Sequence, residues 1–217
     1  MAKVKICGVT NLEDALAAAR TGADFIGLNF YKPSPRYVDF AVAQLIAGGL
    51  KVEFGERRPL LVGVFVDEPL EVLNGIAEGV GLDFLQLHGS EPPELVAALN
   101  GRGIKAIRPQ SVEEAAALAE RYAPAASTDE RAPSLLVDAY HPKLHGGTGE
   151  QASVEVAKTV MVRVPRLMLA GGLTPQNVGE RVAAIRPWAV DTASGVESGD
   201  ARHKDLAKVE AFIEAAR

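Results

Sequence analysis

The feature that most limits what this chain can fold into is its rhythm. Short β-branched and aliphatic runs alternate with alanine- and leucine-rich segments of helical period from one end to the other. The runs fall at Lys3–Cys7, Asp24–Asn29, Leu60–Val66, Asp83–Leu87, Ile104–Arg108, Ser134–Asp138, Arg166–Ala170 and Trp188–Thr192. Leu60–Val66 is continuously apolar, the mark of a strand covered on both faces, as in a parallel sheet. After the first run, Leu12, Ala15, Leu16 and Ala19 make the i, i+3, i+4, i+7 stripe of an amphipathic helix that Gly22 ends. The spacing of Thr10-Asn11-Leu12-Glu13 predicts a capping box for that helix, and Ser111-Val112-Glu113-Glu114 repeats it. A second helix is expected around Phe40–Ile46, fraying at Gly48-Gly49 into a polar connector that ends near Arg58. Ala123–Pro133 reads as a surface loop. Later helices are expected near Val154–Val162, from Thr174-Pro175, and through Leu206, Val209, Ile213 and Ala216.

Eight strand–helix units in 217 residues come to about 27 residues each, which suits a small (β/α)8 TIM barrel. The rival is a doubly wound open sheet, since alternation alone does not close a barrel. Eight units with no surplus strand favour closure, and residues 1–217 read as a single barrel domain.

Composition narrows the function. A net charge of -5 argues against a nucleic-acid binder or an anionic-membrane binder, which need basic patches. It leaves room for a small anionic ligand held by backbone amides. A lone cysteine excludes an internal disulfide framework and points to a reducing cytoplasm. No apolar run approaches the ~18 residues of a membrane helix.

In a parallel barrel the ends of the strands and the loops that follow share one mouth. Cys7, Arg36, Asp67, His88, Asp138 and Asp191 all fall at such positions. So do two glycine turns, Gly171-Gly172 and Ser194-Gly195, in the loops after strands seven and eight. Those loops are the usual phosphate site of the fold. Each residue has a plainer reading too. Cys7 could be a small buried hydrophobe, although a helix opening beside it would favour thiolate. Asp138 could cap its loop, His88 could be a satisfied loop histidine, and Arg36 a solvated arginine aimed by Pro35. His141 and His145 have helical metal-ligand spacing but lie in a Pro/Gly loop, so no metal is expected.

The motifs themselves resemble a known family. KICGVT at 5–10, SPRYV at 34–38, GVFVD at 63–67 and QLHG at 86–89 are similar to phosphoribosylanthranilate isomerases. So are LLVDA at 135–139, GGTG at 146–149, LAGGLTPQNV at 169–178 and DTASGVE at 191–197. The resemblance implies an Amadori rearrangement in tryptophan biosynthesis. N-(5-phosphoribosyl)anthranilate would become 1-(2-carboxyphenylamino)-1-deoxyribulose 5-phosphate, with no cofactor. It implies Cys7 as general base, Asp138 as general acid and Arg36 on the anthranilate carboxylate. His88 and Asp191 would contact substrate, or Asp191 would be the carboxylate neighbour that keeps Asp138 protonated. Gly171, Gly172, Ser194 and Gly195 would bind phosphate. The expected partner is a small phosphorylated substrate, with no nucleic acid or membrane, and the protein a cytoplasmic monomer or homodimer. The segment after GGTG and Ala193 within DTASGVE depart from the family pattern. Two alternatives stand beside this reading: the related aminoaldose–ketose isomerase of histidine biosynthesis, and a non-catalytic barrel that binds a phosphorylated ligand.

Overall fold

The structure is a computed structural model that describes residues 1–138 and 154–217. His141, His145 and the GGTG turn at 146–149 lie outside those residues. The strands are β1 (Lys3–Ile6), β2 (Phe25–Asn29), β3 (Leu60–Phe65), β4 (Phe84–Leu87), β5 (Gly103–Ile107), β6 (Leu135–Val137), β7 (Leu167–Leu169) and β8 (Ala189–Thr192). Each pairs in parallel with the next in chain order, and β8 pairs with β1 through Lys5↔Asp191 and Ile6↔Thr192. The open-sheet alternative is thereby excluded. The sheet is a closed eight-stranded barrel.

Helices α1 (Leu12–Thr21), α2 (Phe40–Phe54), α3 (Leu70–Val80), α4 (Pro93–Ala98), α5 (Val112–Tyr122), α6 (Val154–Met161), α7 (Val178–Ile185) and α8 (Leu206–Ala216) follow their strands in turn. Their apolar stripes bury Ala15, Ala43, Ile46, Leu73, Ala77, Ala115 and Phe212 against the outward-facing residues of the strands. A second cluster, made by Phe25, Val62, Phe84, Ile104, Leu136, Met168 and Ala189, packs separately. These are alternate-face residues of successive strands, and they fill the barrel's interior as a layered core. Two residues further along three of those strands the same face carries Gln86, Asp138 and Asp191. This period of two turns an apolar interior into a polar mouth.

Local chemistry differs from expectation at three helix ends. Asn11, not Thr10, caps α1: its Oδ1 accepts from the Asp14 amide at 2.8 Å, and its Nδ2 donates to the Asp14 carboxylate. Thr10 instead donates to the Arg202 carbonyl, tying the loop after β1 to the loop before α8. The α2 helix does not fray at Gly48-Gly49 but runs on to Phe54. A Cβ at Gly49 would lie 2.3 Å from Leu12 Cδ1, so glycine there lets α2 press against α1. Packing outweighs the ~1 kcal/mol helix penalty of glycine. Finally, α7 begins at Val178, because Thr174-Pro175 makes a turn first, with the Thr174 amide donating to Asn177 Oδ1. The Ser111 cap of α5 is as expected, with its hydroxyl accepting from the Glu114 amide. The Ala123–Pro133 stretch contains a 3-10 turn at Ala123–Ala125, and its Ser127 and Ala132 are buried.

Candidate active site

A cavity of about 310 Å³ opens at the carboxyl ends of the strands. Cys7, Arg36, His88, Asp138, Gly171, Gly172, Asp191 and Ser194 all line it. Gly195 does not. A Cβ there would lie 2.0 Å from the Leu173 carbonyl oxygen, so its part is to let the two glycine turns touch. Asp67 is also outside the cavity: its carboxylate accepts from the Ser90 amide and joins the loops after β3 and β4.

The mouth is organised by a residue that sequence reasoning did not single out. Lys5 lies on the same face of β1 as Cys7 and is 0% exposed. Its ammonium donates to Asp191 Oδ1 at 3.0 Å and to Gln86 Oε1 at 2.9 Å. Burial works against its charge, but the Asp191 carboxylate and the Cys7 thiol more than offset that and raise its pKa. Asp191 is thus the counter-charge of Lys5, and it lines the same cavity as Asp138. The signal was present in the sequence as a lysine inside an apolar strand run, since a buried lysine requires a partner.

From Lys5 the polar chain crosses the barrel. Gln86 Nε2 lies 2.9 Å from His88 Nδ1, and His88 Nε2 lies 3.1 Å from Asp138 Oδ2. Gln86 lies on β4 and His88 directly follows that strand, while Asp138 follows β6. Four strands thus contribute to one connected network.

The Cys7 thiol is pushed up from its ordinary value by burial, against the pull of Lys5. Helix α1 starts at Leu12, and the groups that favour the thiolate are the ammonium ions of Lys5 and Lys204. Room for the thiol comes from β2: a Cβ at Gly27 would stand 2.8 Å from Cys7 Sγ and 3.1 Å from Lys5 Cε.

Arg36 is only slightly exposed, and Glu197 aims it. Nε and Nη2 bond the two carboxylate oxygens at 2.6 and 3.0 Å. Lys204 adds a third cation–carboxylate contact to Glu197 at 3.2 Å. This fork fixes one edge of the guanidinium, while Nη1 has no hydrogen-bond partner among the described residues. Across the mouth, Gly171 and Gly172 take left-handed φ values of 92° and 61°. Among the described residues their amides donate to no group. Successive free amides of this kind make an anion-accepting concavity.

A closed parallel barrel with acid–base side chains at its mouth, facing an anion-accepting rim, defines a (β/α)8-barrel enzyme of acid–base chemistry. Comparison with known proteins makes it particular. Residues 4–215 match the N-(5'phosphoribosyl)anthranilate (PRA) isomerase family. The chain is 43% identical to the N-(5'-phosphoribosyl)anthranilate isomerase of Geobacter metallireducens, over 100% of both chains. It superposes on the phosphoribosyl anthranilate isomerase of Thermotoga maritima with a TM-score of 0.86 and 35% identity, covering 100% of this chain and 98% of that one. A phosphoribosyl anthranilate isomerase solved with reduced 1-(o-carboxyphenylamino)-1-deoxyribulose 5-phosphate is 34% identical, with a TM-score of 0.82 over 100% and 98% of the two chains. The chain belongs to the phosphoribosylanthranilate isomerase family and is an isomerase of tryptophan biosynthesis. These relatives favour that activity over the histidine-pathway isomerase and over a non-catalytic barrel.

Proposed function

We propose that this enzyme isomerises N-(5'-phosphoribosyl)anthranilate with Asp138 as general acid and Cys7 as general base. The observation that carries the reading is the placement of both groups in one cavity, each held by its own polar partner. Asp138 delivers a proton to the furanose ring oxygen, and the C1–O bond breaks as the anilino nitrogen's lone pair forms an iminium. Cys7 then removes the C2 proton. The electron pair moves into the C1–C2 bond, giving an enolamine that tautomerises to the 2-ketone. The iminium acidifies C2–H, so the Cys7 that is present as thiolate meets a proton it can take. A raised pKa also makes the thiolate the stronger base once formed.

The substrate's two anionic ends find complementary groups on opposite sides of the mouth. The outer edge of Arg36 suits a carboxylate, whose two oxygens match a planar two-donor fork. The Gly171, Gly172 and Ser194 turns suit the phosphate, with Gly195 holding them together. His88 orients Asp138, and Asp191 holds Lys5 beside the thiol. On this reading the ligand is a small phosphorylated molecule, the chain acts in the cytoplasm, and it works as a monomer or homodimer. No helix among the described residues is long and apolar enough to cross a membrane.

The test is Asp138→Asn, which keeps the shape and an acceptor for His88 but has no acidic proton. Its kcat should fall by about 10²–10⁴-fold, the usual weight of a general acid, with KM near wild type. Turnover within a few-fold of wild type would remove Asp138 from the acid role.

A further inference from the structure

We infer that Gln86 is a positioning residue that sets the histidine tautomer at the acid end of the site, by passing on the donor-only character of Lys5. The inference rests on the reading of Asp138 as the acid and adds how that carboxyl is held. It starts from the inventory of donors and acceptors. A charged lysine offers N–H groups and no acceptor. Because Lys5 Nζ lies 2.9 Å from the Gln86 side chain, the oxygen of that amide must face it. The amide's other end is then NH2, which only donates. His88 Nδ1, 2.9 Å away, must accept. A neutral imidazole that accepts at Nδ1 carries its hydrogen on Nε2. That N–H points at Asp138 Oδ2, 3.1 Å away.

Several features make this a one-way relay. Lys5 is wholly buried and Gln86 is 1% exposed, so water does not replace either partner. Lys5 is kept charged because its pKa is raised, with Asp191 the first of the groups that offset burial. All buried side-chain nitrogens and oxygens of the described residues have partners. Reversing the amide would set N–H against N–H at Lys5 in an interior that excludes water, leaving both donors without an acceptor there. The consequence falls on Asp138. Oδ2 is held as an acceptor by a donating N–H, so a transferable proton on this acid belongs on Oδ1.

Glutamate at position 86 tests this because it keeps the length of the side chain and the acceptor for Lys5 while inverting the second contact. A carboxylate facing His88 Nδ1 requires a hydrogen there. The Nε2–H form is then no longer enforced, and the imidazole becomes either the Nδ1–H tautomer or the imidazolium. The measurement is nitrogen NMR of histidine-labelled enzyme, with His88 identified by the signals lost in His88→Asn. Wild type should show a protonated Nε2 and an unprotonated Nδ1. Gln86→Glu should show a protonated Nδ1, with kcat lowered about 100-fold, the lower end of a general acid's weight, and KM near wild type.

Wild-type enzyme with hydrogen on Nδ1 overturns the inference without any variant, which covers a Gln86→Glu protein that does not fold. Glutamate that leaves the ring form unchanged overturns it too, whatever happens to turnover. So does a changed ring form with unchanged kcat. Normal turnover by Asp138→Asn instead removes the acid assignment, while the tautomer result stands on its own.

Discussion

At the scale of single residues, the proposed mechanism turns on how a buried thiol would act as a base. Cys7 is the chain's only cysteine, so its titration can be followed by the pH dependence of its alkylation by iodoacetamide, which reports the thiolate. Burial raises its pKa against the pull of Lys5 and, more weakly, Lys204. The midpoint in the free enzyme should therefore lie above that of an ordinary thiol. The sign follows directly: thiolate is scarce at neutral pH and accumulates only as pH rises through that raised midpoint. Replacing Lys5 with methionine removes the nearest cation and should move the midpoint higher still. A midpoint below the ordinary thiol value would contradict this electrostatic picture. Cys7 itself was legible from its position at a strand end in KICG. Lys5 was not singled out, because its role depends on Asp191 and Gln86, which lie 186 and 81 residues away in the chain. The same is true of Glu197, whose hold on Arg36 spans 161 residues.

At the scale of elements, the alternation of strand and helix patterns was readable because parallel strands carry their own signature and each helix its own stripe. What failed was local: the cap of α1 fell one residue later, and α2 continued through two glycines. Both corrections come from neighbours. Arg202 claims the Thr10 hydroxyl, and Leu12 needs the space at Gly49. The same logic governs β2, where Gly27 leaves room for Lys5 of β1 and for Cys7 just beyond it. Gly27→Ala should cost about 1–3 kcal/mol by overpacking, because the added carbon meets Cys7 Cα at 3.0 Å as well as its sulfur. It should also lower kcat by displacing the thiol. Thermal or denaturant unfolding together with turnover checks both parts. A variant as stable and active as wild type would show that β1 yields freely there.

At the scale of the whole molecule, closure of the barrel is what converts a list of strand ends into a site. Residues from β1, β4, β8 and the loop after β6 meet only because β8 pairs with β1 and the strands follow one another round the ring. The order of motifs along the chain foretold the mouth, while the bonds across it followed from three-dimensional proximity alone. Those bonds link Lys5, beside Cys7, through Gln86 to His88 and Asp138, which the proposed mechanism makes its base end and its acid end. The central claim is that one proton leaves through Cys7 and another arrives from Asp138. Turnover of N-(5'-phosphoribosyl)anthranilate by Cys7→Ala tests it most directly. The account predicts a kcat lowered by about 10²–10⁴-fold or more, with the fold intact and KM close to wild type. Near-normal turnover by that variant would contradict it.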